Sequence, residues 1–146
     1  MNYLHRAFWL LILISGMMHA QDKPAYRIFT SAGKAVNYGR MEAGLADADV
    51  ICFGELHNNP IAHWLQLELC NDLIARRGST GLVVGAEMIE SDQQASLDEY
   101  LSGAIDRKAF ESANKLWNNY ATDYRPVVEL CRSAGVPFVA GNVPRT

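Results

Sequence analysis

Three short apolar runs constrain the fold of this chain more than any other feature of its sequence. They cover residues 49–54, 82–86 and 136–140, and each is continuous rather than alternating. Such runs are typical of strands that are buried on both faces, which occur mainly in parallel sheets. The segments between them show helical spacing. The order strand, helix, strand, helices, strand therefore predicts an α/β domain with a parallel sheet flanked by helices.

Capping residues predict where the helices begin and end. Asn59 and Pro60 fit the N-cap and the first position of a helix that Gly78 ends. Three further helix starts are marked by a capping box at 91–94, by Asp106 and by Pro126. The helix that begins at Asp106 is expected to include Trp117. Before the first apolar run, the pattern predicts a small hairpin at 26–38 and a short helix at 40–46.

The first twenty residues have the composition of an export signal. A single cation, Arg6, precedes eight apolar residues at 7–14, and the small residue Ala20 ends the segment. The apolar run is shorter than the ~20 residues of a membrane span. A short buried helix and a membrane anchor are the alternatives. We expect cleavage after Ala20, a mature domain at 21–146, and a location in the periplasm or cell envelope, without lipid attachment because no cysteine lies near the junction.

Charge and cysteine content exclude some classes of partner. The 13 Lys and Arg residues do not balance the 16 Asp and Glu residues, so the formal net charge is −3. This balance argues against nucleic-acid binding, which needs a basic face. The three cysteines, Cys52, Cys70 and Cys131, lie in apolar segments without metal-like spacing, and we expect them to be buried free thiols.

Polar side chains follow the predicted strands where each strand ends. Glu55 and His57 follow the first run and share one face of an extended segment. Glu87 follows the second run and Arg145 the third, and His63 lies one turn into the next helix, where it either joins them or packs structurally. Ligands collect beyond the carboxyl ends of parallel strands. Carboxylates and imidazoles there suit a divalent metal or an acid–base pair, although Glu55 could instead accept backbone N–H groups at the helix start.

A series of motifs in fixed order extends from about residue 26 to the end of the chain. They are 54–60 with His63, the strand end at 87–88, Gln94, the segment 97–103, Trp117, 124–126 and 142–145. Together they resemble the ChaN-like haem-binding uptake family within the Tiki superfamily. Each motif is weak alone, and their order makes the series specific.

The resemblance implies a parallel sheet between helices and an exported bacterial protein of haem or iron uptake. It also implies association with the cell envelope and homodimers that hold haem near their interface. Family haem is ligated by a tyrosine phenolate, and both Tyr100 and Tyr124 lie in matching motifs. Polar and basic side chains would meet the propionates, with Arg125 and Arg145 as candidates, and His63 is a further candidate for cofactor binding.

The wider superfamily also contains metal-dependent hydrolases and proteases built on the same Gly-Glu-x-His strand end. On that analogy Glu55, His57 and Glu87 would bind a divalent metal ion. Glu55 and His57 would be catalytic, with Glu55 polarising a water. Those enzymes use a further histidine from the second half of the domain, and none follows His63 in this sequence. We therefore expect either binding without catalysis or a domain truncated at its C-terminus. Truncation is favoured because no helix covers the last predicted strand.

Overall fold

A pair of parallel strands with helices packed against it forms the centre of the structure. The structure is a computed structural model that describes residues 23–145, so the predicted export signal at 1–20 lies outside the described residues. No helix in the described range is both long enough and apolar enough to cross a membrane. The helices and strands in chain order are β1 (Ile28–Phe29), β2 (Ala35–Val36), α1 (Tyr38–Leu45), α2 (Pro60–Arg77), β3 (Val84–Glu90), α3 (Gln94–Ser102), α4 (Arg107–Ala113), α5 (Arg125–Ala134) and β4 (Phe138–Asn142).

The sheet pairs β3 with β4 in parallel, and the α/β fold class is confirmed. Val84 lies opposite Phe138, and the register shifts before Glu90 reaches Asn142. Alternate residues of β4 are buried, so one face of the pair packs against the helices. The amide of Gln94 reaches β4, where it donates to the Phe138 carbonyl at 3.0 Å and accepts from the Ala140 N–H at 2.7 Å. A side chain thus supplies the hydrogen bonds that another strand would make.

Local signals gave the helix starts correctly where a side chain caps the helix. The Asn59 side chain accepts from the N–H groups of Ile61 and Ala62, and Asp106 accepts from Ala109. The predicted hairpin is also present as the antiparallel pair of β1 and β2. These features depend on residues close together in sequence, which explains why the sequence pattern identifies them.

Two helix boundaries differ from the prediction. Residues 91–93 form a 3₁₀ turn in which no side chain caps the helix, so the capping box is not used. The α4 helix ends at Ala113, because the Asn114 side chain donates to the Phe110 carbonyl at 2.6 Å and to the Ser96 hydroxyl at 2.8 Å. Trp117 consequently lies in a loop rather than on the apolar side of the helix.

Residues 49–54, predicted as the first buried strand, pair with no strand of the described range. We call this segment the strap. Val50 is 79% exposed and Phe53 is 37% exposed. The strap and β3 line a common cavity of about 1020 Å³, and within the described residues no ladder joins their backbones. The prediction of a buried strand is therefore wrong for this segment, and the described parallel sheet contains two strands.

The core lies between the sheet and the last three helices. The rings of Tyr100 and Phe110 are fully buried and stack with centroids 4.8 Å apart. The Tyr100 hydroxyl donates to Glu129, and the guanidinium of Arg132 lies 4.5 Å from the centre of the Tyr100 ring. The polar tip of this tyrosine is thus satisfied at the edge of the core, while its ring packs inside.

We expect the fold to lose stability at alkaline pH because of Tyr100. Burial, followed by the hydrogen bond to Glu129, raises the pKa of Tyr100 from 10.0 to about 12. Because the folded-state pKa is the higher one, the stabilisation is complete below pH 10 and is lost as the pH rises towards 12. The free energy of unfolding should fall over this interval, and less steeply in Tyr100→Phe.

Urea unfolding of both proteins at several pH values measures this slope. Tyr26→Phe serves as the control, since that ring is partly exposed and packs on Trp64. Equal slopes in Tyr100→Phe and the unmodified protein would contradict the prediction.

Candidate functional site

Glu55, at the carboxyl end of the strap, is the centre of a hydrogen-bond network. Its Oε1 accepts from the Tyr124 hydroxyl at 2.5 Å and lies 3.2 Å from His57 Nδ1. Its Oε2 accepts from the Gln66 amide at 2.7 Å and lies 3.1 Å from His63 Nδ1. The two carboxylate oxygens thus meet side chains from the strap end, from α2 and from the segment before α5.

The network keeps Glu55 ionised. Burial by itself would raise the pKa of this carboxyl. Hydrogen bonds from Tyr124, His57 and Gln66, together with the nearby His63 ring, outweigh burial, so the pKa of Glu55 lies below its usual value. The side chain is therefore an acceptor that holds its donors in place at neutral pH.

His63 lies behind Glu55 in the interior. The residue is 4% exposed, and its Nε2 is 3.1 Å from the His57 carbonyl and 3.7 Å from Asp123 Oδ2. The edge of its ring packs on Tyr124 with centroids 4.6 Å apart. Both ring nitrogens have polar neighbours within the protein, so the structure gives His63 a supporting position rather than a surface that a ligand could reach.

A π-helical turn at 120–124 brings three polar side chains to the same side of the chain. Asn119 donates to the His57 carbonyl at 2.6 Å and to Asp123 Oδ2 at 2.8 Å, and Tyr124 reaches Glu55. Pro126 has no N–H for the carbonyl four residues earlier and crowds it, which favours a wider turn just before α5. The wider turn lets Asp123 and Tyr124 face the site together.

The sequence patterns do not predict three residues of the site, which are Gln66, Asn119 and Asp123. Gln66 lies one turn beyond His63 on α2, so helical spacing from His63 could have identified it. Asn119 and Asp123 depend on the π-helical turn, for which the sequence pattern carries no clear periodic signal. Their partners are distant in sequence, 62 residues away in the bond from Asn119 to the His57 carbonyl.

His57 and Glu87 form the exposed rim of the site. His57 Nε2 lies 3.7 Å from Glu87 Oε1, and both side chains are more than half exposed. The edge of the Trp117 ring system packs on His57 at 4.8 Å and on Tyr124 at 5.5 Å. Across residues 23–145, no three His, Cys, Asp or Glu side chains are arranged to hold a metal ion. Metal binding by Glu55, His57 and Glu87 stays a prediction.

The structure places three other candidate residues away from this network. Tyr100 is fully buried in the core, which argues against it as a haem ligand. Arg125 Nη1 lies 3.2 Å from Glu111 Oε1, and Arg145 Nε lies 3.3 Å from Glu90 Oε1. Each guanidinium is thus next to a carboxylate of the protein itself. These three side chains do not line the cavity beside the site.

The cavity extends from this polar network along the strap. Its volume of about 1020 Å³ is at the upper end of the range of small-molecule sites. Glu55, Gln66 and Tyr124 line the end next to the network, which we call the polar end, and Asp49, Arg77 and Thr80 also contribute to the lining. The remaining walls are mostly apolar and include Phe53, Leu69, Leu73, Val84, Val127 and Phe138. Of the tyrosines in the described range, Tyr124 alone lines the cavity.

Tyr124 combines a polar tip with a buried ring. Burial raises the pKa of its phenol well above the usual value, and the hydrogen bond to Glu55 and the charge of that carboxylate raise the pKa further. The free phenol is therefore protonated at neutral pH and directed at Glu55. The arrangement can hold the Tyr124 oxygen, as a ligand atom, in a fixed position at the polar end of an apolar cavity.

Comparisons with known proteins agree with this architecture. Residues 41–146 match the family model described as haem-binding uptake, Tiki superfamily, ChaN. The structure is similar to one described as showing cofacial haem binding to ChaN of Campylobacter jejuni, with a TM-score of 0.67 and 24% sequence identity. The match covers 82% of this chain and 49% of that one, so the chain spans about half the length of this solved relative. None of the curated proteins compared with the chain matches it.

The two histidines of the site should differ sharply in their effect on stability. His63→Ala leaves buried partners of the imidazole unsatisfied, which costs about 1–3 kcal/mol for such groups. His57→Ala removes a side chain that is 57% exposed, and its effect should stay within about 0.5 kcal/mol. Urea unfolding at pH 7 measures both changes in the free energy of unfolding. A loss for His57→Ala as large as that for His63→Ala would contradict the assignment of His63 as the supporting residue.

Proposed function

Since the chain belongs to the ChaN family of haem-binding uptake proteins in the Tiki superfamily, as its ordered motifs predict, we propose that it binds haem. The observation that carries the proposal is the position of Tyr124 at the polar end of an apolar cavity. Tyrosine is an established protein ligand of haem iron. Tyr124 is the candidate ligand that the structure favours over Tyr100, because Tyr100 is enclosed in the core.

The residues around the cavity fit such a ligand. Apolar side chains of the strap, α2 and β3 could cover a flat macrocycle, and Tyr124 would be the residue that holds its iron. Haem would supply a ferric iron, a Lewis acid that binds phenolate oxygen. Glu55 orients the Tyr124 hydroxyl through the 2.5 Å hydrogen bond. The carboxylate accepts the phenolic hydrogen bond, and the proton of this phenol would have to leave the site if the oxygen became a ligand.

We also propose that the protein is exported and takes part in haem or iron uptake at the cell envelope, with haem bound by a homodimer. The support for export is the pattern of residues 1–20, and the support for uptake and for the dimer is the family resemblance. Arg125 and Arg145, the candidates for the propionates, would meet them beside their present partners Glu111 and Glu90.

A metal-dependent hydrolase is the second candidate function. The observation that favours it is the position of His57 between two carboxylates, 3.2 Å from Glu55 and 3.7 Å from Glu87. In that reaction Glu55 would polarise a water bound to the metal. Haem binding is the better supported function, because both oxygens of Glu55 already accept hydrogen bonds, one from Tyr124 and one from Gln66.

Replacing Tyr124 should remove the signature of iron ligation. Haemin added to the protein should shift the Soret band and produce a phenolate-type spectrum. In Tyr124→Phe that spectrum should be lost, and the affinity should fall by at least about tenfold, which corresponds to about 1.4 kcal/mol. A spectrophotometric titration with haemin measures both effects.

Tyr120→Phe is the matched control for this titration. Tyr120 begins the same π-helical turn, is buried, and has a hydroxyl without a hydrogen-bond partner in the described structure. Its removal should therefore leave haemin binding unchanged. A phenolate spectrum that survives in Tyr124→Phe would overturn the assignment of the ligand, and no Soret shift in the unmodified protein would overturn haem binding.

Export should leave a defined N-terminus. We expect the protein recovered from the periplasmic or envelope fraction to begin at Gln21, as determined by mass spectrometry of the intact chain. Ala20→Arg should block cleavage, because the position before the cleavage site needs a small residue. Recovery of the full 146-residue chain from the cytoplasm would contradict the proposal.

A further inference from the structure

One side of α2 forms a long wall of the cavity and ends in a positive charge. The residues of α2 that line the cavity include Gln66, Leu69, Leu73 and Arg77, which recur at the spacing of one helical face. Gln66 lies at the polar end, and Arg77 follows three turns later, about 16 Å further along the helix axis. The wall therefore changes from an amide through two leucines to a guanidinium.

The guanidinium of Arg77 is held by backbone carbonyls rather than by a carboxylate. Its Nε donates to the Ala46 carbonyl at 2.8 Å, and its Nη2 donates to the same carbonyl and, at 2.9 Å, to that of Ala48. Among residues 23–145, Arg77 forms no ion pair and its Nη1 has no hydrogen-bond partner. The positive charge and the N–H groups of Nη1 thus remain available to an anion.

The position of this guanidinium is fixed in the absence of a ligand. The two carbonyls hold its head, and the turn at 79–81 packs closely on its stem, where a Cβ at Gly81 would lie 3.3 Å from the Arg77 Cβ. A planar donor that is already oriented loses little conformational freedom when it binds a carboxylate. Arg77 is therefore arranged as an anion-binding residue rather than as a mobile surface cation.

The surroundings of Arg77 suit a carboxylate that belongs to an otherwise apolar molecule. Of the Lys and Arg residues in the described range, Arg77 alone lines the cavity. Thr80 also lines the cavity and supplies a hydroxyl that can donate to an anion. Asp49 contributes to the lining too, but it is exposed, so water screens the repulsion between its carboxylate and a second one. The walls between Arg77 and the polar end are mostly apolar.

We propose that Arg77 binds a carboxylate of the molecule that occupies the cavity, and that the cavity selects apolar ligands with an acid group at the end opposite Tyr124. In haem this group is a propionate, since both propionates lie on one edge of the macrocycle. The identity of the ligand as haem rests on the proposed function. The requirement for a carboxylate rests on Arg77 and the cavity alone.

Iron-free protoporphyrin IX isolates this contact, because it keeps the propionates and offers Tyr124 no iron. In fluorescence titrations its affinity should fall by about tenfold or more in Arg77→Met, because a charge-assisted hydrogen bond is lost. In Tyr124→Phe the affinity should stay within about twofold of that of the unmodified protein. Arg77→Lys keeps the charge but not the planar donors, so its affinity should lie between those of the unmodified protein and Arg77→Met.

Two controls separate a role in binding from a role in the fold. Arg76 precedes Arg77 on α2, pairs with Glu42 and does not line the cavity, so Arg76→Met should leave the affinity for protoporphyrin unchanged. The dimethyl ester of protoporphyrin has the same macrocycle without the charges. It should bind the unmodified protein and Arg77→Met equally if the cavity is intact in the variant.

The outcomes also separate this proposal from the proposed function. Equal affinity of protoporphyrin for the unmodified protein and Arg77→Met would overturn the proposal, and so would an equal loss for the dimethyl ester. If haemin gives no phenolate spectrum, the proposed iron ligation fails, while a protoporphyrin affinity that depends on Arg77 still supports the carboxylate site. A fatty acid shares the acid group and the apolar body. Displacement of protoporphyrin by equimolar palmitate would support the role of Arg77 and contradict haem as the ligand.

Discussion

The hydrogen bond between Tyr124 and Glu55 is the contact on which the candidate site depends. It joins residues 69 positions apart at 2.5 Å and connects the end of the strap to the turn before α5. Burying a carboxylate is unfavourable unless donors replace the water it loses. Tyr124 and Gln66 supply such donors, with two imidazoles close by. Because each donor comes from a different part of the chain, satisfying the charge also fixes where those parts meet.

The same contact explains why one end of the site is held firmly while the cavity beside it is open. The polar end is held by Glu55 and by the bond from Asn119 to the His57 carbonyl, which together fix the loop after the strap. The apolar remainder of the strap has no comparable partner among residues 23–145, since its side chains face either solvent or the cavity. A rigid polar end beside a loosely held apolar wall suits a ligand that is bound at one point and covered elsewhere.

Sequence reasoning predicted the features that depend on short-range chemistry. The caps at Asn59 and Asp106 follow from patterns within one element, and the α/β class follows from the order of strands and helices along the chain. The strap failed as a strand because pairing depends on a partner edge, which no local pattern describes. The π-helical turn and the early end of α4 failed because they depend on particular side chains, Pro126 and Asn114, that override helical periodicity. Convergence of polar groups at a sheet edge was predictable, whereas the supporting residues Asn119 and Asp123 were not.

The two tyrosines of the motif series show why an ordered family pattern does not by itself identify a ligand. Both lie in matching motifs, and the pKa of each phenol is raised by burial and by a neighbouring carboxylate. Tyr100 stacks on Phe110 and bonds to Glu129, so its environment stabilises the core. Tyr124 lines the cavity and bonds to Glu55. A motif indicates that a residue is important without showing its role. Only the surroundings of the phenol distinguish a tyrosine that stabilises the core from one that can contact a ligand.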